Sequence, residues 1–197
     1  MTANSAGLRE SVRKAYSRAA SSPAGRHPFP VGEEFALSLG YPREVLDRIP
    51  PGSIESFAGV SDVSVFAILP AGATVIDLGC GSGLDSLIAA QRVRAEGRVV
   101  GIDFSEAMLE RANSSLRALG SANVLFVRSA AERLPLAQAS ADCALVNGIF
   151  NLNPFRNQIF RELARIVKPG GSVFGAELVL HEPLPETSRA GVANWFS

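Results

Sequence analysis

The sequence predicts a doubly wound α/β fold, in which helices cover both faces of a parallel sheet. Short apolar segments alternate with amphipathic helical segments between residue 73 and about residue 181. Strands that alternate with helices of this length are typical of parallel sheets. A glycine-rich stretch at residues 79–83 leaves the first strand and opens the first helix, which is where such sheets bind ligands.

Five short apolar segments are the predicted strands of this sheet. They comprise residues 74–78, 98–102, 123–128, 141–147 and 172–180. Runs of this length and apolar character are typical of strands that are buried on both faces. We expect the order 3-2-1-4-5 across the sheet.

Three helical segments lie between these strands. The first covers about residues 84–95. Ser105 is a favourable N-cap for the second, and Gly120 ends it. The third has apolar residues at helical spacing up to Val167, and we expect the Lys-Pro-Gly-Gly sequence of residues 168–171 to terminate it ahead of the fifth strand.

The two ends of the chain lack this regular pattern. Residues 1–72 are rich in Ser, Pro and Gly and contain only short helical pieces, because prolines at positions 23, 28 and 30 exclude a continuous helix. This composition predicts an N-terminal helical cap or lid over residues 1–72. The core then covers residues 73–181, and residues 182–197 form a C-terminal tail.

Composition excludes several classes of protein. The chain has 197 residues, of which 47% are hydrophobic, so it is not largely disordered. Its 19 Lys and Arg balance 19 Asp and Glu, which gives no electrostatic case for nucleic acid or an anionic membrane as a partner. Two cysteines are too few for a disulfide framework and show no metal-ligand spacing. No stretch approaches the roughly 20 apolar residues of a membrane span, and we expect a cytoplasmic protein.

The glycine-rich stretch carries the strongest functional signal. Glycines at positions 79, 81 and 83 allow a tight turn and a close approach of a ligand to the backbone. Asp77 precedes them, and an acid at this place suits a cationic ligand better than a pyrophosphate. Asp103 ends the second strand, where its carboxylate is placed to accept hydrogen bonds from both hydroxyls of a ribose.

These features resemble class I S-adenosylmethionine-dependent methyltransferases. The resemblance rests on the glycine loop, Asp103, the Ala-Glu-Arg-Leu-Pro turn at 131–135, Asn147 and the Lys-Pro-Gly-Gly sequence, which occur in the family's order. It implies a Rossmann-like core that binds S-adenosylmethionine and transfers its methyl group. In this family an antiparallel strand pair normally follows the fifth strand, and the sequence shows no such pair before residue 197.

The resemblance also implies which residues surround the cofactor. Its methionine part is expected at Asp77, Gly79 and Gly81, and its ribose at Asp103. The adenine is expected between Phe104 and Met108, with Ala131 and Glu132 at its edge. Many members carry an acid where Ala130 stands, and Glu132 is the candidate to replace it. The remaining expected cofactor contacts are Asn147 after the fourth strand and Tyr16 in the lid.

A second resemblance, to arsenite methyltransferases, spans nearly the whole chain. It is carried by the segments 12–16, 39–46, 147–154 and 182–185. That family binds trivalent arsenic through cysteine thiolates ahead of the core and after the fourth strand, where residues 56–61 and 147–149 contain no cysteine. Because soft arsenic needs thiolates, the arsenic chemistry does not carry over.

The catalytic residues and the acceptor stay open at this level. His181, Glu177 and Asn151 are the candidates near the ligand-binding edge of the sheet. A surface position explains His181 better than catalysis does, whereas surface or turn roles explain Glu177 and Asn151 equally well. We expect an in-line methyl transfer to a small-molecule acceptor without a metal. Arsenite methylation, a nicotinamide oxidoreductase and a non-catalytic cofactor-binding or interaction module are the alternatives. A missing strand pair would leave one sheet edge open, and we expect another copy of the chain or the tail to cover it.

Overall fold

A single parallel sheet of five strands lies at the centre of the protein. The computed structural model describes residues 3–179, with side chains from residue 7 onward. The strands are β1 (Thr74–Leu78), β2 (Arg98–Asp103), β3 (Val124–Arg128), β4 (Ala141–Asn147) and β5 (Val167–Ala176). Their order is β3-β2-β1-β4-β5 and all four pairings are parallel, so the predicted order 3-2-1-4-5 is confirmed.

Eight helices are found in the described part of the chain. They are α1 (Ala3–Ser21), α2 (Glu33–Ser38), α3 (Arg43–Leu46), α4 (Pro51–Ile54), α5 (Val63–Phe66), α6 (Leu84–Val93), α7 (Glu106–Leu119) and α8 (Arg156–Ile166). Alternate residues of β1 divide the core between the two faces of the sheet. Val75 packs in the cluster that contains residues of α5 and α6, and Ile76 packs in the cluster that contains residues of α8.

The capping signals in the sequence act as expected. The Ser105 hydroxyl accepts a hydrogen bond from the backbone N–H of Met108 at 3.4 Å, so Ser105 is the N-cap of α7. Gly120 ends the same helix in the left-handed region at φ 69°, a conformation in which a glycine has no Cβ to strain. These two local signals fix both ends of α7.

The predicted boundary between the third helix and the fifth strand is wrong. Helix α8 ends at Ile166 and β5 begins at once at Val167, so the Lys-Pro-Gly-Gly sequence lies within the strand. It forms an irregularity there, because Ala141 pairs with Val167 whereas Cys143 pairs with Ser172. The strand also ends at Ala176 rather than at residue 180.

The cap helices pack on the core through apolar and polar contacts. Side chains of the cap, including Tyr41 and Phe57, share one buried cluster with Leu84 and Leu87 of α6. The guanidinium of Arg111 on α7 donates to the carbonyls of residues 20 and 52, at 3.0 Å each, and pairs with the Glu55 carboxylate. This side chain therefore connects the end of α1 and the region around α4 to the core.

Strand β5 lies at one edge of the sheet. Within residues 3–179 no strand pairs with its outer side, and Val173 is 47% exposed. The expected lack of a following strand pair concerns residues after 179, outside the described part, and the covering of this edge by another copy or the tail stays a prediction. None of the described helices has the length and apolar character needed to cross a membrane.

Candidate functional site

A cavity opens at the carboxyl ends of the strands, between the core and the cap. The space inside it, including its open mouth, is about 1060 Å³. All ten residues that the sequence predicted for the cofactor lie in its wall. They are Tyr16, Asp77, Gly79, Gly81, Asp103, Phe104, Met108, Ala131, Glu132 and Asn147.

The glycine loop presents its backbone to this cavity. Gly79 and Gly81 have φ values of 80° and 53°, which favour glycine over any residue with a Cβ. A Cβ on Gly79 would overlap Cγ2 of Ile149, whereas a Cβ on Gly81 would find its nearest neighbour, Sδ of Met108, at 3.9 Å. The backbone at Gly81 is therefore open to a ligand, and Ile149 lies directly against Gly79.

Asp103 is held rigidly at the end of β2. Its Oδ2 accepts the backbone N–H of Gly81 at 2.9 Å and its Oδ1 accepts that of Ser105 at 2.8 Å. Burial raises the pKa of this carboxyl, and the backbone donors oppose that effect. A carboxylate has about four acceptor positions, so two bonds from the protein leave room for the two hydroxyls of a ribose.

Two further buried carboxylates stand in the wall beside the glycine loop. Asp77 accepts the hydroxyl of Ser86 at 2.6 Å. Burial and then the neighbouring Asp85 raise the pKa of Asp77, and burial also raises that of Asp85. A cationic group placed between these carboxylates would lower both pKa values, because opposite charge favours the ionised form.

Asp85 is the centre of a network that joins the cap to the core. It accepts hydrogen bonds from the Tyr41 hydroxyl at 2.6 Å, from Asn147 Nδ2 at 2.9 Å and from the Ser64 hydroxyl. Asn147 also donates to the carbonyl of Ser61 at 2.7 Å. The sequence showed Asp85 next to the glycines, but nothing in its spacing linked that residue to Tyr41, 44 positions earlier.

Most of the hydrogen-bonding capacity of the Asn147 side chain is used by other protein groups. Besides the two bonds that its Nδ2 donates, its Oδ1 accepts the backbone N–H of Val60 at 2.8 Å. These bonds hold the cap segment around residue 60 against the end of β4. Direct contact of Asn147 with the cofactor stays a prediction, since the residue lies in the cavity wall.

Glu132 connects the far side of the cavity to helix α1. Its Oε1 accepts Asn153 Nδ2 at 3.0 Å and lies 3.4 Å from Arg9 Nη2 on α1. An adenine bound to Glu132 would be a third partner of this carboxylate, beside Asn153 and Arg9. Ala131 and Glu132 lie in the cavity wall, and their position at the edge of the adenine stays a prediction.

Tyr16 brings an aromatic ring from α1 to the cavity. Its ring stacks on Phe29, with 4.7 Å between the ring centroids. Burial, together with the negative charges of Asp103 and Glu177, raises the pKa of its phenol strongly. No hydrogen bond to its hydroxyl is found among residues 3–179, in contrast with the hydroxyl of Tyr41.

Two of the catalytic candidates, Glu177 and Asn151, lie outside the cavity wall. Glu177 follows β5 rather than lying in it, and its Oε2 accepts the backbone N–H groups of Phe150 at 2.7 Å and Asn151 at 3.1 Å. The Asn151 side chain donates to Glu177 at 3.2 Å. Both side chains therefore brace the loop after β4. His181 lies outside the described residues.

Thiols and metal ligands are sparse in the described part of the chain. Cys80 and Cys143 are free and buried, and burial raises the pKa of each thiol. Only Cys80 is in the cavity wall. Among residues 3–179 no group of three or more His, Cys, Asp or Glu side chains is arranged to hold a metal.

The residues present fit S-adenosylmethionine. The backbone is open at Gly81, Asp103 has acceptor positions left for a ribose, and two carboxylates face the place expected for a cation. In addition, the buried hydroxyl of Ser56, another wall residue, has no hydrogen-bond partner within the described residues. A ligand with hydroxyl, cationic and polar groups would satisfy this set.

Comparison with known proteins gives the same family. A family model described as a methyltransferase domain matches residues 69–196. An arsenite methyltransferase of Halobacterium salinarum is 31% identical over 148 residues, which cover 75% of this chain and 38% of that protein. A demethylmenaquinone methyltransferase of Lactococcus lactis is 33% identical over 119 residues, 60% of this chain and 47% of that protein. The chain thus spans less than half the length of these curated relatives.

A solved structure agrees over most of the chain. The arsenic(III) S-adenosylmethionine methyltransferase of Chlamydomonas reinhardtii superposes with a TM-score of 0.62 and 29% identity, covering 80% of this chain and 52% of that one. The predicted Rossmann-like fold, the cofactor and the similarity to arsenite methyltransferases are confirmed by these matches. The chain belongs to the methyltransferase domain family, in the class I group that uses S-adenosylmethionine.

Proposed function

We propose that this chain transfers a methyl group from S-adenosylmethionine to a small, largely apolar acceptor. The observation that carries the proposal is the composition of the cavity wall outside the predicted cofactor contacts. Cap residues and the loop after β4 contribute apolar side chains there, namely Val12, Phe57, Ala58, Ile149 and Leu152. Such a wall favours an apolar molecule over a charged one, because burying a charge without a partner is costly.

The chain's own residues would bind, align and shield the reactants. The cofactor, when bound, supplies an electrophilic methyl group on a sulfonium. Asp103 would hold the ribose, and the carboxylates of Asp77 and Asp85 would favour the cationic end of the ligand. The cap would exclude water and keep the acceptor in line with the methyl group, which lowers the entropic part of the barrier.

The relatives fall into two groups with different named activities, and each group suggests a different acceptor. The arsenite methyltransferases suggest arsenic, but the described wall has only one cysteine, Cys80, and its thiol is buried with a raised pKa. The demethylmenaquinone methyltransferases suggest an apolar quinone. The apolar wall supports the second class, and a quinone or similar flat apolar molecule is therefore our preferred acceptor.

The experiment is an acceptor panel with S-adenosylhomocysteine formation as the readout. The panel contains a demethylated naphthoquinone, small phenols and thiols, and arsenite with a reducing thiol. We expect turnover with the apolar members. Turnover with arsenite alone would overturn the acceptor class, and cofactor binding without turnover of any member would favour a non-catalytic module.

A pair of matched variants tests the wall itself. Leu152→Ser places a hydroxyl in the wall, whereas Leu125→Ser makes the same change at a β3 residue that is 60% exposed and outside the wall. Leu152→Ser should raise KM for an apolar acceptor several-fold, and Leu125→Ser should not. A cytoplasmic location is part of this proposal, supported by the two buried free cysteines.

A further inference from the structure

Ser56 has a buried hydroxyl without a partner. The residue is 1% exposed and lies in the cavity wall, and its Oγ makes no hydrogen bond to any of the described residues. Buried polar atoms in folded proteins are nearly always hydrogen-bonded. An exception at the edge of a ligand cavity indicates that the ligand supplies the missing partner.

The backbone around Ser56 is fixed against the glycine loop. Ser53 and Ser82 exchange hydrogen bonds, since each hydroxyl donates to the other residue's carbonyl, at 2.7 and 2.8 Å. Both serines are buried. On the other side, Arg111 Nε donates to the carbonyl of Gly52 at 3.0 Å. Ser56 therefore lies on a segment that is held in place before any ligand binds.

The course of this segment indicates which end of the cofactor it meets. It begins beside α7, touches the glycine loop at Ser82, and reaches the end of β4, where Gly59 lies against Asn147. The residues expected at the adenine, Ala131 and Glu132, are on the far side of the cavity, at the loop after β3. Ser56 is thus on the side of Asp77 and Asp85, where the amino-acid part of the cofactor is expected.

The α-carboxylate of the cofactor needs a hydrogen-bond donor on that side. Asp77 and Asp85 provide oxygen acceptors, which suit the ammonium and sulfonium of the ligand, but they repel its α-carboxylate. A hydroxyl donates one hydrogen bond, and a bond to a charged acceptor is stronger than one between neutral groups. We propose that the Ser56 hydroxyl donates a hydrogen bond to the α-carboxylate of the cofactor's amino-acid end.

The test compares two ligands that differ only beyond the thioether. S-adenosylhomocysteine carries the amino-acid end, and 5′-methylthioadenosine lacks it. Titration calorimetry of Ser56→Ala should show a loss of affinity for S-adenosylhomocysteine of about 10-fold, the order expected for a hydrogen bond to a charged group, with the affinity for 5′-methylthioadenosine unchanged within twofold. Ser140→Ala is the matched control, because the Ser140 hydroxyl bonds the carbonyl of Ala137 outside the cavity.

A stability measurement separates this role from a structural one. Because the Ser56 hydroxyl has no partner in the empty protein, Ser56→Ala should unfold at the same temperature as the wild type or at a higher one. Equal losses for both ligands, no loss for either, or a clear drop in unfolding temperature would overturn the proposal. The inference rests on the cofactor assignment, whose failure would look different, since the wild type itself would then bind neither ligand.

Discussion

We predict that the hydroxyl of Tyr41 stabilises the packing of the cap on the core. Tyr41 is 2% exposed, and its hydroxyl lies 2.6 Å from Asp85 Oδ1 and 3.1 Å from the Ser61 carbonyl. Tyr41→Phe removes the donor and keeps the ring, which makes an edge-to-face contact with Phe57 at 5.1 Å between centroids. The substitution therefore removes only the hydroxyl, with its contacts to the Asp85 carboxylate, the Ser61 carbonyl and Asn147 Nδ2.

The expected cost follows from the charge and burial of the acceptor. Loss of a hydrogen bond to a charged group destabilises proteins by roughly 1.5–3 kcal/mol, and the buried Asp85 carboxylate would keep only its donors from Ser64 and Asn147. In a protein of this size each kcal/mol corresponds to roughly 2–4 °C in unfolding temperature. Urea unfolding of the protein without ligand, followed by circular dichroism, measures the change in free energy directly.

The second of the chain's two tyrosines, Tyr16, provides a matched control. Tyr16→Phe removes a hydroxyl that makes no hydrogen bond within residues 3–179, so its effect on the free energy of unfolding should stay within roughly 0.5 kcal/mol. If the two variants were destabilised equally, or if Tyr41→Phe were neutral, the proposed role of the Asp85 network would be refuted.

Three further results are expected. Burial and Asp85 raise the pKa of Asp77 from 3.8 to about 8, so between these pH values the folded protein keeps a proton that the unfolded chain releases. The free energy of unfolding should therefore fall as pH rises from 4 to 8. Urea titrations should show that Asp77→Asn flattens this dependence. Asp103→Ala should weaken S-adenosylhomocysteine binding in calorimetry by roughly 10- to 100-fold, since two hydrogen bonds to a charged acceptor are lost; an unchanged Kd would contradict the ribose contact. Gly79→Ala should lower the unfolding temperature more than Gly120→Ala, because both have positive φ but only the first meets Ile149; equal losses would show that the overlap with Ile149 relaxes without cost.

Local patterns made most of the sheet predictable. Strands β1 and β4 begin and end where their apolar residues do, and Ser105 and Gly120 bound α7 as their chemistry requires. The same local reasoning was wrong at the Lys-Pro-Gly-Gly sequence, which is a helix terminator by propensity. Here Lys168 pairs with Asp142 at 2.6 Å, and the neighbouring strand draws the segment into β5.

The part of the site formed by the glycine loop was predictable from the sequence, whereas the contacts between segments far apart in the chain were not. Glycines and acids at fixed spacing identified the wall around Asp77 and Asp103. The hydrogen bonds of Tyr41 to Asp85 and of Asn153 to Glu132 join residues far apart in the chain. No periodicity encodes such pairs, since they arise from the packing of the cap and loops on the core.

Binding of S-adenosylhomocysteine to the full chain tests the central claim most directly. The site has an open backbone at Gly81, a positioned carboxylate at Asp103 and an acidic wall, which together fit a nucleoside whose amino-acid end carries an ammonium group. Titration calorimetry at neutral pH should give one binding site per chain with a sub-millimolar Kd. No heat of binding at millimolar ligand, with the protein folded, would contradict the cofactor assignment.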